Sequence, residues 1–139
     1  MNAFWNVMVP ELTVRDYSKS LAFYTVFLGF SIRYQRENPA FAYLTYEERV
    51  QIMIEAFHST GWNTEELVYP FGRGINLQME VTSIAPIVMR LRAKQYPLYE
   101  EPAVAKYVAR DQIYSHKEFL VLDPDGYLLR FYEEEKTAN

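Results

Sequence analysis

Residues 6–29, NVMVPELTVRDYSKSLAFYTVFLG, change their hydrophobic period once, and that change decides the fold class. Asn6 to Thr13 alternates as a strand does. Asp16 then stands where a helix N-cap belongs, and Tyr17, Leu21, Tyr24 and Leu28 recur at helical spacing up to Gly29, a residue suited to a C-terminal cap. A strand and a helix of about three turns result. Three extended segments follow, Ser31 to Glu37, Phe41 to Tyr46 and Val50 to Phe57, broken by Asn38-Pro39 and by the charged cluster Glu47 to Arg49. The order is βαβββ.

Working outward, residues 58–74 hold three Gly, one Pro and the aromatics Trp62, Tyr69 and Phe71, which reads as a long connection; such loops are often functional. The same grammar then restarts. Ile75 to Val81 alternates, Ser83 offers an N-cap, and Ile84, Ile87, Val88 and Leu91 form a helical stripe with Pro86 tolerable in the first turn. Tyr99 to Ala109 is extended with a break at Pro102. Lys117 to Leu122 and Tyr127 to Glu133 are strands around the turn Asp123-Pro124-Asp125-Gly126. The chain is therefore an α+β domain over residues 1–139, built of βαβββ modules 1–60 and 74–139 joined by loop 58–74. The repeat is one of element order, not of residues.

Composition narrows the chemistry. Of 139 residues half are apolar, and nine Phe, twelve Tyr and two Trp supply ample surface for a core, which disfavours disorder. No Cys occurs, so disulfides, thiolate metal sites and Cys nucleophiles are excluded. Fourteen Lys and Arg against eighteen Asp and Glu leave no basic excess for nucleic acid and favour a neutral or cationic ligand. Met1 to Trp5 carries no basic leader pattern, and no apolar run approaches a bilayer span, so a cytoplasmic protein without membrane contact is expected. Gly72-Arg73-Gly74 lacks the Lys and hydroxyl residue of a phosphate loop. Glu65-Glu66 and Glu100-Glu101 are adjacent in sequence and would not share one strand face for acid–base work. The nucleophile motif Gly-x-Ser-x-Gly is absent.

Strand alternation separates two surfaces. Val50, Ile52, Ile54 and Ala56 form an apolar row suited to packing under a helix, leaving Gln51, Met53, Glu55 and Phe57 opposite. Ile75, Leu77, Met79 and Val81 leave Asn76, Gln78 and Glu80; Leu129 and Phe131 leave Leu128, Arg130 and Tyr132. Phe41, Tyr43 and Thr45 share a face of their own strand. With helices on the outer, aliphatic faces, the opposite faces carry Phe41, Tyr43, Met53, Glu55, Asn76, Gln78, Arg130 and Tyr132. That mixture suits a concave, partly solvated cavity. The alternative is the ordinary wet face of an antiparallel sheet, which seldom needs Phe and two Tyr beside Met.

Val9-Pro10-Glu11-Leu12-Thr13-Val14-Arg15-Asp16, Ala22-Phe23-Tyr24 and Leu28-Gly29-Phe30 resemble the opening of the bleomycin resistance proteins. Those belong to the vicinal oxygen chelate superfamily, with glyoxalase I and the extradiol dioxygenases. Glu118-Phe119, Asp123-Pro124-Asp125-Gly126 and the strand to Tyr132 are similar to its close. The resemblance implies a curved eight-stranded mixed sheet of two modules, usually dimeric, with ligand crevices. In metal-dependent members four side chains bind a divalent ion, and those positions fall near Val9 and at Glu55, Asn76 and Arg130. Only Glu55 suits a metal, and Arg130 would put a permanent positive charge in the ion's place. His58 and His116, in a loop and at a strand start, read as surface or support.

What the resemblance implies is thus a metal-free, cofactor-free binding protein that sequesters a bleomycin-type antibiotic, a basis for antibiotic resistance by drug capture. A flat aromatic, cationic guest calls for stacking walls, a wide groove and some negative charge. Phe41 is similar in placement to one aromatic wall of these binders, Tyr114 lies close to another beside His116, and Trp62 in the long loop is placed to close the groove. The alternatives are a metal-dependent lyase or dioxygenase of the glyoxalase kind, and a binder of another small aromatic metabolite.

Overall fold

The computed structural model describes residues 4–135. It has eight strands in two four-stranded mixed sheets, the α+β pattern expected. The first sheet comprises β1 (Glu11–Val14), β2 (Ser31–Arg36), β3 (Phe41–Tyr46) and β4 (Val50–Ala56), in the order β1-β4-β3-β2. The second comprises β5 (Asn76–Glu80), β6 (Glu100–Ala109), β7 (Gln112–Leu122) and β8 (Leu128–Glu134), in the order β5-β8-β7-β6. In each, the strand preceding the helix pairs in parallel with the module's last strand, and the other pairs are antiparallel. The helices are α1 (Tyr17–Ala22) and α2 (Ala85–Ala93). None is long and apolar enough to cross a membrane.

The chain divides into two compact units. The first runs to Phe71 and takes in Pro124–Gly126; the second runs from Gly72 to Asp123 and resumes at Tyr127. In the first, α1 packs on β4, and Leu12, Val14, Phe23, Tyr24, Leu28, Leu44, Ile52 and Ile54 are buried. Asp16 caps α1 by accepting from Lys19 N at 3.1 Å. The predicted three-turn helix widens into a π-helical turn over Phe23–Phe27, where Leu28 N donates to Phe23 O. Thr25 Oγ1 donates to Leu21 O at 2.7 Å, a back-bond that loosens the α ladder at that turn.

The turn Pro124–Gly126 completes this first unit. Asp125, 2% exposed, accepts from Arg15 Nε at 2.8 Å and from Ser20 Oγ, and its carbonyl accepts from Phe71 N. Gly126 has φ +92° and lies so near Pro70 that a Cβ would approach its ring at 2.5 Å, so only glycine fits. In the second unit, Met79, Val81, Ile84, Ile87, Val88, Leu91, Phe119, Val121, Leu129 and Phe131 are buried, with Phe119 stacked on Phe131.

Several sequence expectations need correction. The first strand begins at Glu11, not Asn6: Pro10 has no N–H to give a ladder, and its carbonyl accepts from Met53 N. Ser83 does not cap α2. Ile84 occupies the cap position, and its N–H donates to Glu133 Oε1 at 3.2 Å. β7 begins at Gln112, because pairing with β6 continues to Ala109↔Gln112 at the hairpin tip. Tyr114 and His116 therefore lie within a strand.

Candidate functional site

On the first sheet, register alone sets one row. Met53 stands between Tyr43 and Glu11, and Glu55 between Phe41 and Thr13, all on the face turned away from the apolar row of β4. Gln51, Met53, Glu55 and Phe57 line this face over about 20 Å of extended chain. Phe41, Tyr43, Met53 and Glu55 are thus brought together in the first unit. The two aromatics are not bare walls, however: Phe41 is 1% and Tyr43 5% exposed. Tyr34 stacks on Tyr43 at 5.5 Å and meets Phe41 at 5.6 Å, and the Arg36 guanidinium lies 4.0 Å from the Phe41 ring centre. Trp5 meets Tyr43 edge-on at 4.9 Å.

Midway along the row the charge is negative. The Glu11 carboxyl is pushed above its ordinary pKa by desolvation and by the charge of Glu55, with Arg36 opposing. Glu55 Oε1 lies 2.6 Å from His58 Nε2, whose Nδ1 lies 3.0 Å from Thr60 Oγ1. The row ends at a cavity of about 390 Å³ where Phe57, Leu67 and Phe71 share the lining with Arg15, Glu65 and Glu66. Trp62 is 99% exposed and does not line the cavity, although its neighbours Gly61 and Asn63 do.

The second sheet carries a different face. Asn76, Gln78, His116, Arg130 and Tyr132 are brought together there by the β5–β8 and β7–β8 registers. Arg130 Nη1 donates to Asn76 Oδ1 at 3.1 Å, and Nη2 reaches Tyr107 OH at 3.4 Å and Glu118 Oε2 at 3.6 Å. Tyr107 OH donates to Glu118 Oε1 at 2.7 Å. His116 stacks on Tyr132 at 4.0 Å, and its Nδ1, like Glu118 Oε2, is enclosed without a hydrogen-bond partner among the described residues. Tyr114, 41% exposed, donates to Gln112 Oε1 near the hairpin tip.

The phenols on both faces are held toward their protonated form. Tyr107 is pushed up chiefly by its bond to Glu118, Tyr132 chiefly by burial, and Tyr43 chiefly by burial against the opposing pull of Arg33. The donor set does not suit a divalent ion. Asn76 and Arg130 are bonded to each other, Glu55 is engaged by His58, and Val9 offers no side-chain donor. Glu55 and Arg130 each find a partner within their own unit, His58 and Glu118 respectively. Sequence reasoning passed over Glu11, Gln51, Tyr107 and Glu118; strand alternation marks them, but their partners are distant in sequence.

Comparison with known proteins gives the family and the fold. Residues 7–131 match the sequence model of the Glyoxalase/Bleomycin resistance protein/Dioxygenase superfamily. Curated proteins called bleomycin resistance protein, from Geobacillus stearothermophilus and Staphylococcus aureus, are 26% identical over 131 residues, covering 93% of this chain and 97% of theirs. Among solved structures, TioX from Micromonospora sp. ML1 superposes with a TM-score of 0.69 at 16% identity, covering 94% of this chain and all of that one. A glyoxalase/bleomycin resistance protein/dioxygenase from Alicyclobacillus acidocaldarius gives 0.62 at 18%, covering 94% and 92%. These two share the fold.

Proposed function

The chain belongs to the Glyoxalase/Bleomycin resistance protein/Dioxygenase superfamily, and from that premise we propose that it captures a bleomycin-type glycopeptide antibiotic without transforming it. It acts in the cytoplasm as a homodimer, its two modules serving one domain, and needs no metal or other cofactor of its own. One observation carries the choice of capture over catalysis: the Arg130 guanidinium is bonded to Asn76, where two metal-binding side chains would be required. A fixed positive charge there opposes a divalent ion. The guest's character follows from the first sheet. Aromatic rings on β3 set beside the carboxylates of Glu11 and Glu55 on β1 and β4, with a cavity of mixed lining that includes Glu65 and Glu66 beyond Phe57, suit a flat, cationic molecule. The curated relatives named for bleomycin resistance, matched along nearly their whole length, support the same class.

Calorimetric titration with metal-free bleomycin tests the reading. A one-to-one isotherm per protomer with Kd of about 1 μM or tighter is expected, equivalent to roughly −8 kcal/mol. Absence of heat at tenfold higher concentration overturns capture of this drug. The Glu55–His58 pair favours the alternative of a metal-dependent lyase or dioxygenase, since it sets a carboxylate beside an imidazole. Retention of one equivalent of nickel, zinc, iron or manganese after dialysis, lost on Glu55→Ala, would select that reading instead.

A further inference from the structure

Tyr43, one of the rings expected to receive a flat guest, is already covered, and part of that cover is a segment of the chain itself. Gln51 stands in the middle of the first sheet and is 3% exposed, an unusual place for an amide. Both ends of its side chain are engaged twice. Oε1 accepts from Asn6 N at 2.9 Å and from Tyr43 OH; Nε2 donates to Phe4 O and Glu48 O, each at 2.7 Å. Two of these four partners lie in residues 4–6. Asn6 Nδ2 also donates to Arg49 O at 2.8 Å, which ties the segment to the β3–β4 turn. That turn holds Glu47 and Glu48 at φ 50° and 64°, the left-handed conformation of tight hairpin turns.

Trp5 completes the cover. Its ring meets Tyr43 at 4.9 Å and Tyr34 at 6.1 Å, while the Arg33 guanidinium lies 4.5 Å from its centre and donates to Phe4 O. The fastening is local. Val7 and Met8 behind it are fully exposed, so between Asn6 and Pro10 two apolar side chains pack on nothing among the described residues. A segment pinned at one end by an internal amide and followed by a bare link has the form of a latch.

We propose that residues 4–6 are a displaceable latch over the Tyr43 side of the first sheet's aromatic face, fastened by Gln51, and that a flat aromatic cation gains the Tyr43 ring only as the latch leaves. The identity of the guest rests on the capture reading; the latch does not. The Tyr43 ring beneath is 5% exposed, too little for any molecule to stack on it with residues 4–6 in place, whereas Phe41 is covered by Tyr34 and Arg36 instead. Trp5 and Arg33 present an indole and a guanidinium to the face, the same two chemical groups that an aromatic cation would bring. Binding and unlatching are therefore one equilibrium. The apparent affinity is the intrinsic affinity reduced by the unlatched fraction.

The chain has two Trp, at positions 5 and 62, so Trp62→Phe leaves Trp5 as sole reporter. In that background Gln51→Ala and, as a variant that spares the buried amide, Arg33→Ala are compared with the parent. Each should raise acrylamide quenching of Trp5 about twofold or more and tighten thioflavin T, a flat two-ring cation, about tenfold. Metal-free bleomycin, where it binds, should likewise increase the quenching of Trp5 in the parent. Equal dye affinity across parent and variants, or shielding of Trp5 by bound bleomycin, overturns the latch. Tightened dye binding in the variants with no bleomycin heat in any of them retains the latch and removes the drug reading.

Discussion

The two sheets share strand order and pairing sense, yet their helix-free faces do opposite things with the same positions. In the first, β4 presents Met53 and Glu55 beside Tyr43 and Phe41, an apolar and acidic row layered under Tyr34, Arg36 and Trp5. In the second, β8 presents Arg130 and Tyr132 beside Glu118 and His116, and Arg130 pairs with Glu118 within the sheet. Burial of the aliphatic faces fixes the fold and is nearly the same in both. The helix-free faces are free of that demand and differ, one an aromatic and acidic row and one an internally paired polar network.

The largest test of the contrast concerns how each unit is completed, because the first depends on the turn Pro124–Gly126. Asp125→Ala removes a buried carboxylate from Arg15 and Ser20, and a loss of about 2–4 kcal/mol in urea unfolding is expected. Amide exchange should speed up first in β1, α1 and β4; uniform acceleration through β5–β8 would mean that the units do not differ in this respect. A smaller effect is expected at Arg130. Arg130→Met leaves Glu118 without its cation, costing about 1–3 kcal/mol, and raises the pKa of Tyr107 further, since Arg130 is the group that lowers it. Ultraviolet pH titration of the phenols measures that shift, and an unchanged titration would break the assigned network.

Smallest is Glu11→Gln. The Glu11 carboxyl has a higher pKa in the folded chain than in the unfolded one, so the folded state binds the proton more tightly. Its contribution to stability is fully present below the unfolded pKa and is lost as pH rises through the folded pKa. Gln mimics the protonated form. The variant should therefore melt slightly above the parent at neutral pH, and the gain should vanish where both carboxyls are protonated. A lower Tm at neutral pH would show that the Glu11 charge is favourable where it stands.

Much of the fold was legible locally. β3 falls on Phe41–Tyr46 as read, because its run is bounded by Asn38-Pro39 and by the Glu47–Arg49 turn, and Asp16 caps α1 as its side chain requires. Where one structure depends on a distant partner, the reading failed: Ile84 is capped by Glu133, and residues 4–6 are held by Gln51. The site divides in the same way. Period-two alternation gathers Phe41, Tyr43, Met53 and Glu55 on one face and Asn76, Gln78, Arg130 and Tyr132 on another. Alternation gives direction but not depth, so it could not show that Phe41 and Tyr43 lie under a second layer. Nor could it show that Arg130 bonds Asn76 across 54 residues of sequence. Trp62 was assigned to the groove from its loop alone, and its full exposure leaves that role to be tested by ligand.

The loan of residues 124–126 to the N-terminal unit also bears on synthesis. On a ribosome, β1, α1 and β4 emerge long before Asp125, so Arg15 must wait for a turn made 110 residues later, and Ser20 and the Phe71 amide wait for the same turn. The nascent first unit is therefore unfinished until the strands β5, β6 and β7 that precede the turn have also been made.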